Sequence, residues 1–219
     1  HVMTITQPIT ALDVNVRGVV EVNEDASGHR FSGMDGISPY IFTQATPFSE
    51  ADAELTDFAK QYISGTQISE AQALRLMQAV HEKIVYTTGS TQVTTTAAQA
   101  FAQGQGVCQD QAHVFLACAR ALGIPARYIS GYLPDMDVPV LPTPMDFHAW
   151  VEVYVGDRWW TFDPRHNARR KGHVPIARGR DAADVAMVTS YGAPWLRRLT
   201  VWADEDFSES WPPADTSLA

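Results

Sequence analysis

Three residues able to share one proton-transfer chain stand in order along this sequence: Cys108 in "GQGVCQDQAHVFLACARALGIP", His148 in "HAWVEVYV" and Asp163 in "RWWTFDP". A thiol becomes a strong nucleophile once a base takes its proton, and an imidazole held by a carboxylate is the usual base. The chemistry open to such a set is attack on an acyl carbon through a thioester.

Spacing supports part of this set directly. Gly156-Asp157 is a two-residue hairpin turn flanked by alternating segments. Counting outward from the turn, Trp150 faces Asp163, and His148 shares a face with Trp150 because side chains alternate with period two. Asp163 is therefore the diagonal neighbour of His148, about 7–8 Å away between backbones and within side-chain reach. Cys108 follows Gly104 and Gly106 and opens a helical run, where the backbone dipole favours a thiolate. Cys118 lies inside the same run and reads as a small buried hydrophobe. At helical rise the two sulfurs' backbones are about 15 Å apart, which excludes a disulfide between them. Taken singly, His148 also reads as an ordinary strand residue and Asp163-Pro164 as a turn opener.

The elements that must carry these residues are legible in outline. Residues 12–22, "LDVNVRGVVEV", alternate as a strand does, and the Gly- and Ser-rich stretch after them reads as loop. Ser49 is expected to cap a helix bearing Leu55, Phe58, Ala59, Tyr62 and Ile63, which Gly65 ends. Ser69 with Gln72 forms a capping box for a second helix, and "TAAQAFAQG" is a third, short one. The Cys108 helix runs toward Gly123, suited to a left-handed cap, with Pro125 beyond. "ARYISGYL", "HAWVEVYV" and "RWWTF" read as strands. From Pro164 onward, "RHNARRKGHVPIARGRDAADV" reads as polar loop, and 206–219 as a tail.

The chain has 219 residues, 45% of them hydrophobic and 10% aromatic, enough for one packed core. A net charge of −9 argues against a nucleic-acid surface. No stretch has the length of a membrane helix, and "HVMTITQPIT" lacks the basic start and apolar run of a signal peptide. Two cysteines make no disulfide framework, so the expected location is the cytoplasm. His113, five residues from each cysteine, does not converge with them on one ion, and no CxxC or HExxH occurs. No metal and no cofactor is expected, and the sequence leaves the oligomeric state open.

Beyond these derivations, "GVCQDQAHVFLACARALGIPARYISGY", "HAWVEVYVGDRWWTFDP" and "ARGRDAADV" resemble successive signature blocks of the bacterial transglutaminase-like superfamily, whose members are described as cysteine proteases. The resemblance covers roughly residues 45–195. It implies Cys108 as nucleophile, His148 as general base and Asp163 as orienting acid. It also implies an α+β fold with a papain-like core, the nucleophile helix packed on an antiparallel sheet. The expected organisation is an N-terminal β segment over 1–44, left from a truncated β-domain, a catalytic core over 45–205, and the tail. Departures from the family pattern are Gln111 in place of an aromatic, Phe147 before the histidine, and "DPRHN" in place of "DPTN". They bear on substrate preference.

The expected reaction is cysteine-dependent acyl transfer on a peptide bond or glutamine amide, with hydrolysis favoured over transglutamination because no dedicated amine site is announced. The partner is then a peptide or protein substrate. The Cys108 N–H is a natural oxyanion donor at a helix start, and Gln103, Gln105 or the Tyr86 region is a candidate second. Trp150, Tyr86 and Gln103 are the candidate substrate-binding residues, and the basic run Arg165, Arg169, Arg170 and Lys171 could attract an acidic substrate. Gln109 and Asp110 read as helix-start residues. The rival is a catalytically silent peptide-binding module, which would be marked by loss of one of the three residues; a zinc-binding protein is a more distant alternative.

Overall fold

A computed structural model of the chain describes residues 3–22, 37–65, 67–136, 138–139, 145–168, 170–192 and 194–205. Residues 22–205 form one compact unit, whose N-terminal limit lies upstream of the expected core boundary at 45. The added part includes a short 3-10 helix, Pro39–Thr43, which buries Phe42. Residues 3–21 belong to a separate unit and are exposed, with neither helix nor strand. The strand expected over 12–22 is thus not formed. Alternation suits a strand, but the element exists only where a neighbour completes its hydrogen-bond ladder.

Helix α1, Ala53–Lys60, begins three residues later than its sequence signal suggested. Asp52 is the cap, its Oδ1 accepting from the Leu55 N–H at 2.8 Å. Ser49 is instead buried, accepting from Arg120 Nη1 at 2.6 Å. Helix α2, Glu70–Lys83, starts with the expected Ser69–Gln72 capping box. Helix α3, Ala97–Gln103, has a second such box, Thr96–Gln99, and closes on left-handed Gly104. Helix α4, Cys108–Ala121, is almost wholly buried and ends before Gly123.

Two sheets accompany the helices. Short strands β1, Val85–Tyr86, and β2, Gln105–Gly106, pair in parallel. The main sheet contains β3 (Ala126–Tyr132), β4 (His148–Val155), β5 (Arg158–Phe162) and β6 (Val174–Gly179) in the order β5-β4-β3-β6, all antiparallel. β6 corrects the reading of this stretch as loop. It is a short edge strand, and Pro175 is tolerated because an edge leaves one side of the ladder unused.

Helix α4 packs on β3 and β4, and a continuous core joins Val114, Phe115 and Leu116 of the helix to Val151, Val153 and Phe162 of the sheet. This is the α+β architecture in which the helix carrying Cys108 lies on an antiparallel sheet. Arg120 ties its C-terminal end in place, donating to the carbonyls of Phe42, Ala126 and Arg180 from a buried position. Burial lowers this guanidinium to about 10, partly opposed by Asp181. On the sheet's other face a buried ion pair joins Arg127 Nη2 to Glu152 Oε2 at 2.6 Å, and the guanidinium stacks on Trp159.

Candidate active site

The β4–β5 hairpin has the register its turn dictates. Asp157 and Gly156 both adopt positive φ, Val155 pairs with Arg158, and the ladder runs on to Val151 and Phe162. His148 begins β4 and Asp163 follows β5, and across that diagonal His148 Nε2 donates to Asp163 Oδ2 at 2.8 Å. A carboxylate only accepts, so Nε2 holds the hydrogen and Nδ1 is the nitrogen left to act.

Asp163 is more heavily bonded than the hairpin alone implies. Oδ2 also receives His166 Nδ1 at 2.8 Å and faces His173 Nε2 at 3.4 Å. Oδ1 caps the following turn, accepting from the N–H groups of Arg165 and His166 at 3.1 and 3.3 Å. The turn is held from outside by His81, whose Nδ1 donates to the Pro164 carbonyl at 2.9 Å. Burial alone would raise the Asp163 carboxyl; the charge of His148 and the three imidazole hydrogen bonds outweigh it and hold the group well below the carboxylate range.

Burial likewise pushes His148 down, but the Asp163 charge and hydrogen bond, helped by the Cys108 side chain, reverse this and bring it up to about 10. Cys108 stands at the start of α4. Trp150 backs the His148 ring, stacked on it with centroids 5.8 Å apart, and also packs on His173 at 4.8 Å. Close packing here needs Gly131: a Cβ at that position would collide with the Val174 carbonyl oxygen and stand 2.7 Å from the Trp150 ring.

The start of α4 is built around Asp110. Its Oδ2 accepts from the Val107 N–H at 2.7 Å and from the Thr91 hydroxyl at 2.6 Å, binding the 87–93 loop to the start of α4. A Cβ on Gly106 would lie 2.6 Å from the Asp110 Cβ, so glycine is required for the two to meet. Burial raises the Asp110 carboxyl against these hydrogen bonds.

With this geometry in place, the family comparison has a structural meaning: residues 56–164, from α1 through the Asp163-Pro164 turn, match the model of the transglutaminase-like superfamily. The chain belongs to the transglutaminase-like superfamily. A solved structure named as a "putative cysteine protease" from Cytophaga hutchinsonii is 30% identical, with a TM-score of 0.57 over 71% of this chain and 58% of that one. An uncharacterized protein of Mycobacterium leprae is 40% identical over 48% of this chain and 38% of its own length. One of Mycobacterium tuberculosis is 26% identical over 83% of this chain and 65% of its own. The chain thus spans less than two thirds of the curated relatives it matches.

Several residues read from the sequence sit elsewhere in this transglutaminase-like core than expected. Trp150 is 1% exposed and supports His148 from behind, so it does not wall a substrate groove. Gln103 turns its carboxamide to the Ser90 carbonyl at 2.9 Å, bracing the 87–93 loop. Gln111 is fully buried and donates to the Ile84 carbonyl at 2.8 Å, which removes it from substrate contact. Phe147 packs on Tyr132. Tyr86 is on the surface, under the guanidinium of Arg165. Arg170 is paired with Asp135 at 3.1 Å, and Arg169 lies outside the described residues.

His113 is a core residue, accepting from the Ala182 N–H at 3.2 Å, and its burial lowers it to about 4. Cys118 is buried and its thiol is pushed well up by the loss of solvent. The donor atoms of His148, Asp163 and His166 lie within 4.8 Å of one another, a grouping compatible with a metal ion that no spacing rule foresaw. In the structure the same atoms form the hydrogen-bond network on Asp163. His166 and His173 were not singled out from the sequence; the one available signal was the three-residue step from Asp163 to His166 across a turn.

Proposed function

We propose that this chain catalyses cysteine-dependent acyl transfer on a peptide or glutamine amide, with Cys108 as nucleophile, His148 as general base and acid, and Asp163 as the group that orients it. The observation that carries the reading is the 2.8 Å His148–Asp163 hydrogen bond; the Cys108 side chain adds to the upward shift of the same imidazole. Membership in the transglutaminase-like superfamily supports it.

The steps follow from the assigned hydrogens. The Cys108 sulfur attacks the amide carbon while the thiol proton resides on His148 Nδ1, and the negative charge on Asp163 stabilises the resulting imidazolium. The carbonyl oxygen becomes an oxyanion, for which the Cys108 N–H at the first turn of α4 is the proposed donor. Nδ1 then gives its proton to the departing nitrogen as the C–N bond breaks, leaving a thioester. Water attacks the thioester carbon, Nδ1 takes its proton, and the C–S bond breaks to return the thiolate–imidazolium pair and an acid product. An amine in place of water gives transamidation; we favour hydrolysis.

A cytoplasmic setting is part of the same proposal. No helix of the described residues is long and apolar enough to cross a membrane. The reaction is tested by mass spectrometry of a glutamine-rich protein incubated with and without a primary amine. Backbone cleavage or deamidation that is lost in Cys108→Ala supports the reading, and an amine adduct would shift it to transamidation. Absence of all three, or their persistence in Cys108→Ala, overturns it.

A further inference from the structure

Arg165 places its guanidinium over the Tyr86 ring, with Cζ 3.4 Å from the centroid. Both ends of this contact are anchored to the candidate site. Tyr86 lies in β1 and pairs with Gly106, two residues before Cys108. Arg165 is two residues past Asp163, and its own N–H is bonded to Asp163 Oδ1. The contact therefore links the side of the site that carries the nucleophile to the side that carries the acid.

The guanidinium has its stacking partner but no ion-pair partner: among the described residues no carboxylate pairs with Arg165, whereas the nearby cations Arg170, Arg178 and Arg180 are each bonded to an acid. Stacking covers the flat face of a guanidinium and leaves its N–H donors pointing outward in the ring plane, the fork that matches a carboxylate with two parallel hydrogen bonds. It also fixes the side chain before binding, which lowers the ordering cost of recognition. Tyr86 is 37% exposed, so the pair is accessible from solvent.

We infer that Arg165 on Tyr86 is a substrate-recognition site for a carboxylate, carried on a peptide as an acidic side chain or as its C-terminus. This inference rests on the proposed acyl-transfer reading for its placement beside a reacting amide. Its chemistry is a charge-assisted, bidentate contact that acts on substrate binding, and it assigns Arg165 no part in proton transfer.

The test uses four glutamine-containing peptides of one length: with an internal Glu or an internal Gln, and each with a free or an amidated C-terminus. Fluorescence anisotropy on the Cys108→Ala protein reads binding without turnover, and kinetics on the wild type read kcat and KM. One anionic peptide should bind about tenfold tighter than its neutral counterpart, the size of a single charge-assisted hydrogen bond converted to affinity. Whether the Glu pair or the C-terminal pair shows the difference identifies the source of the carboxylate. Where peptides turn over, the preference should appear in KM and leave kcat close to unchanged. It should weaken as salt screens the charge, disappear in Arg165→Gln, and shrink in Arg165→Lys and Tyr86→Leu. Equal binding of all four peptides, or a preference that survives Arg165→Gln, overturns the inference. Arg165-dependent binding without any Cys108-dependent turnover would overturn the acyl-transfer reading and keep the carboxylate site.

Discussion

His148 and Asp163 meet across the diagonal of a two-residue hairpin, Nε2 to Oδ2 at 2.8 Å, and the same carboxylate oxygen also receives His166 at 2.8 Å. His173 Nε2 reaches the same oxygen at 3.4 Å, so one buried acid serves three imidazoles. Its negative charge is what makes a positive His148 stable in a site that burial alone would keep neutral.

Replacing that charge while keeping the shape should be costly for turnover. Asp163→Asn can hold the His148 ring through its amide oxygen but cannot stabilise the imidazolium, so kcat should fall by about 10²–10⁴-fold, the range for a lost general base or a triad acid turned amide. Steady-state kinetics beside a thermal melt separate this from unfolding. Full activity in a folded Asp163→Asn protein would assign the acid's role elsewhere.

The same pair predicts how stability depends on pH. His148 is raised in the folded state from an ordinary value near 6.5 to about 10, so its contribution is fully present below about pH 6.5 and is lost as pH rises through about 10. Asp163 is depressed, so its contribution is present above the ordinary carboxylate value and disappears only as pH falls below it. Urea midpoints of wild type and His148→Gln, measured from pH 5 to 10.5, should differ most at the acid and neutral end. The difference should shrink by on the order of a few kcal/mol toward pH 10.5. A difference that stays constant over this range would mean that His148 is not held charged.

Gly106→Ala tests the construction of the start of α4. The new Cβ would meet the backbone-anchored Asp110 Cβ at 2.6 Å, a contact that cannot be relieved by a rotamer change. Overpacking of this kind costs roughly 1–3 kcal/mol, and the shift it forces on Val107 and Cys108 should lower kcat as well. Denaturant unfolding and kinetics on the same preparation check both; a neutral Gly106→Ala would show that the loop adjusts freely.

How much of this was readable in the sequence depends on how far each feature relies on distant packing. The hairpin was legible because a Gly-Asp turn and strand alternation together fix both register and face, and these alone bring His148 to Asp163. The capping box at Ser69 is equally local. β6 is not announced because it is a short edge strand broken by Pro175 and ending in Arg178 and Gly179; its partner β3 supplies the ladder. His166 and His173 were missed for a related reason. One reaches Asp163 through a turn closed by left-handed Asn167, the other through the residue before β6, and neither path follows a sequence period. Alternation puts Trp150 on the face of His148 but says nothing of what packs over it, and the structure buries it behind the imidazole. The two-residue pairing of β1 with β2, which brings Tyr86 beside Gly106, has no signal shorter than the fold itself.

The claim that Cys108 forms a covalent acyl intermediate is tested most directly by trapping it. A peptide substrate mixed with enzyme, quenched in acid within the first turnover and read by intact mass and peptide mapping, should show a mass gain equal to the acyl fragment. The adduct should map to Cys108, be released by hydroxylamine as a thioester, and be absent from the buried Cys118. Turnover that persists in Cys108→Ala, or an acyl adduct on any other residue, would contradict the account.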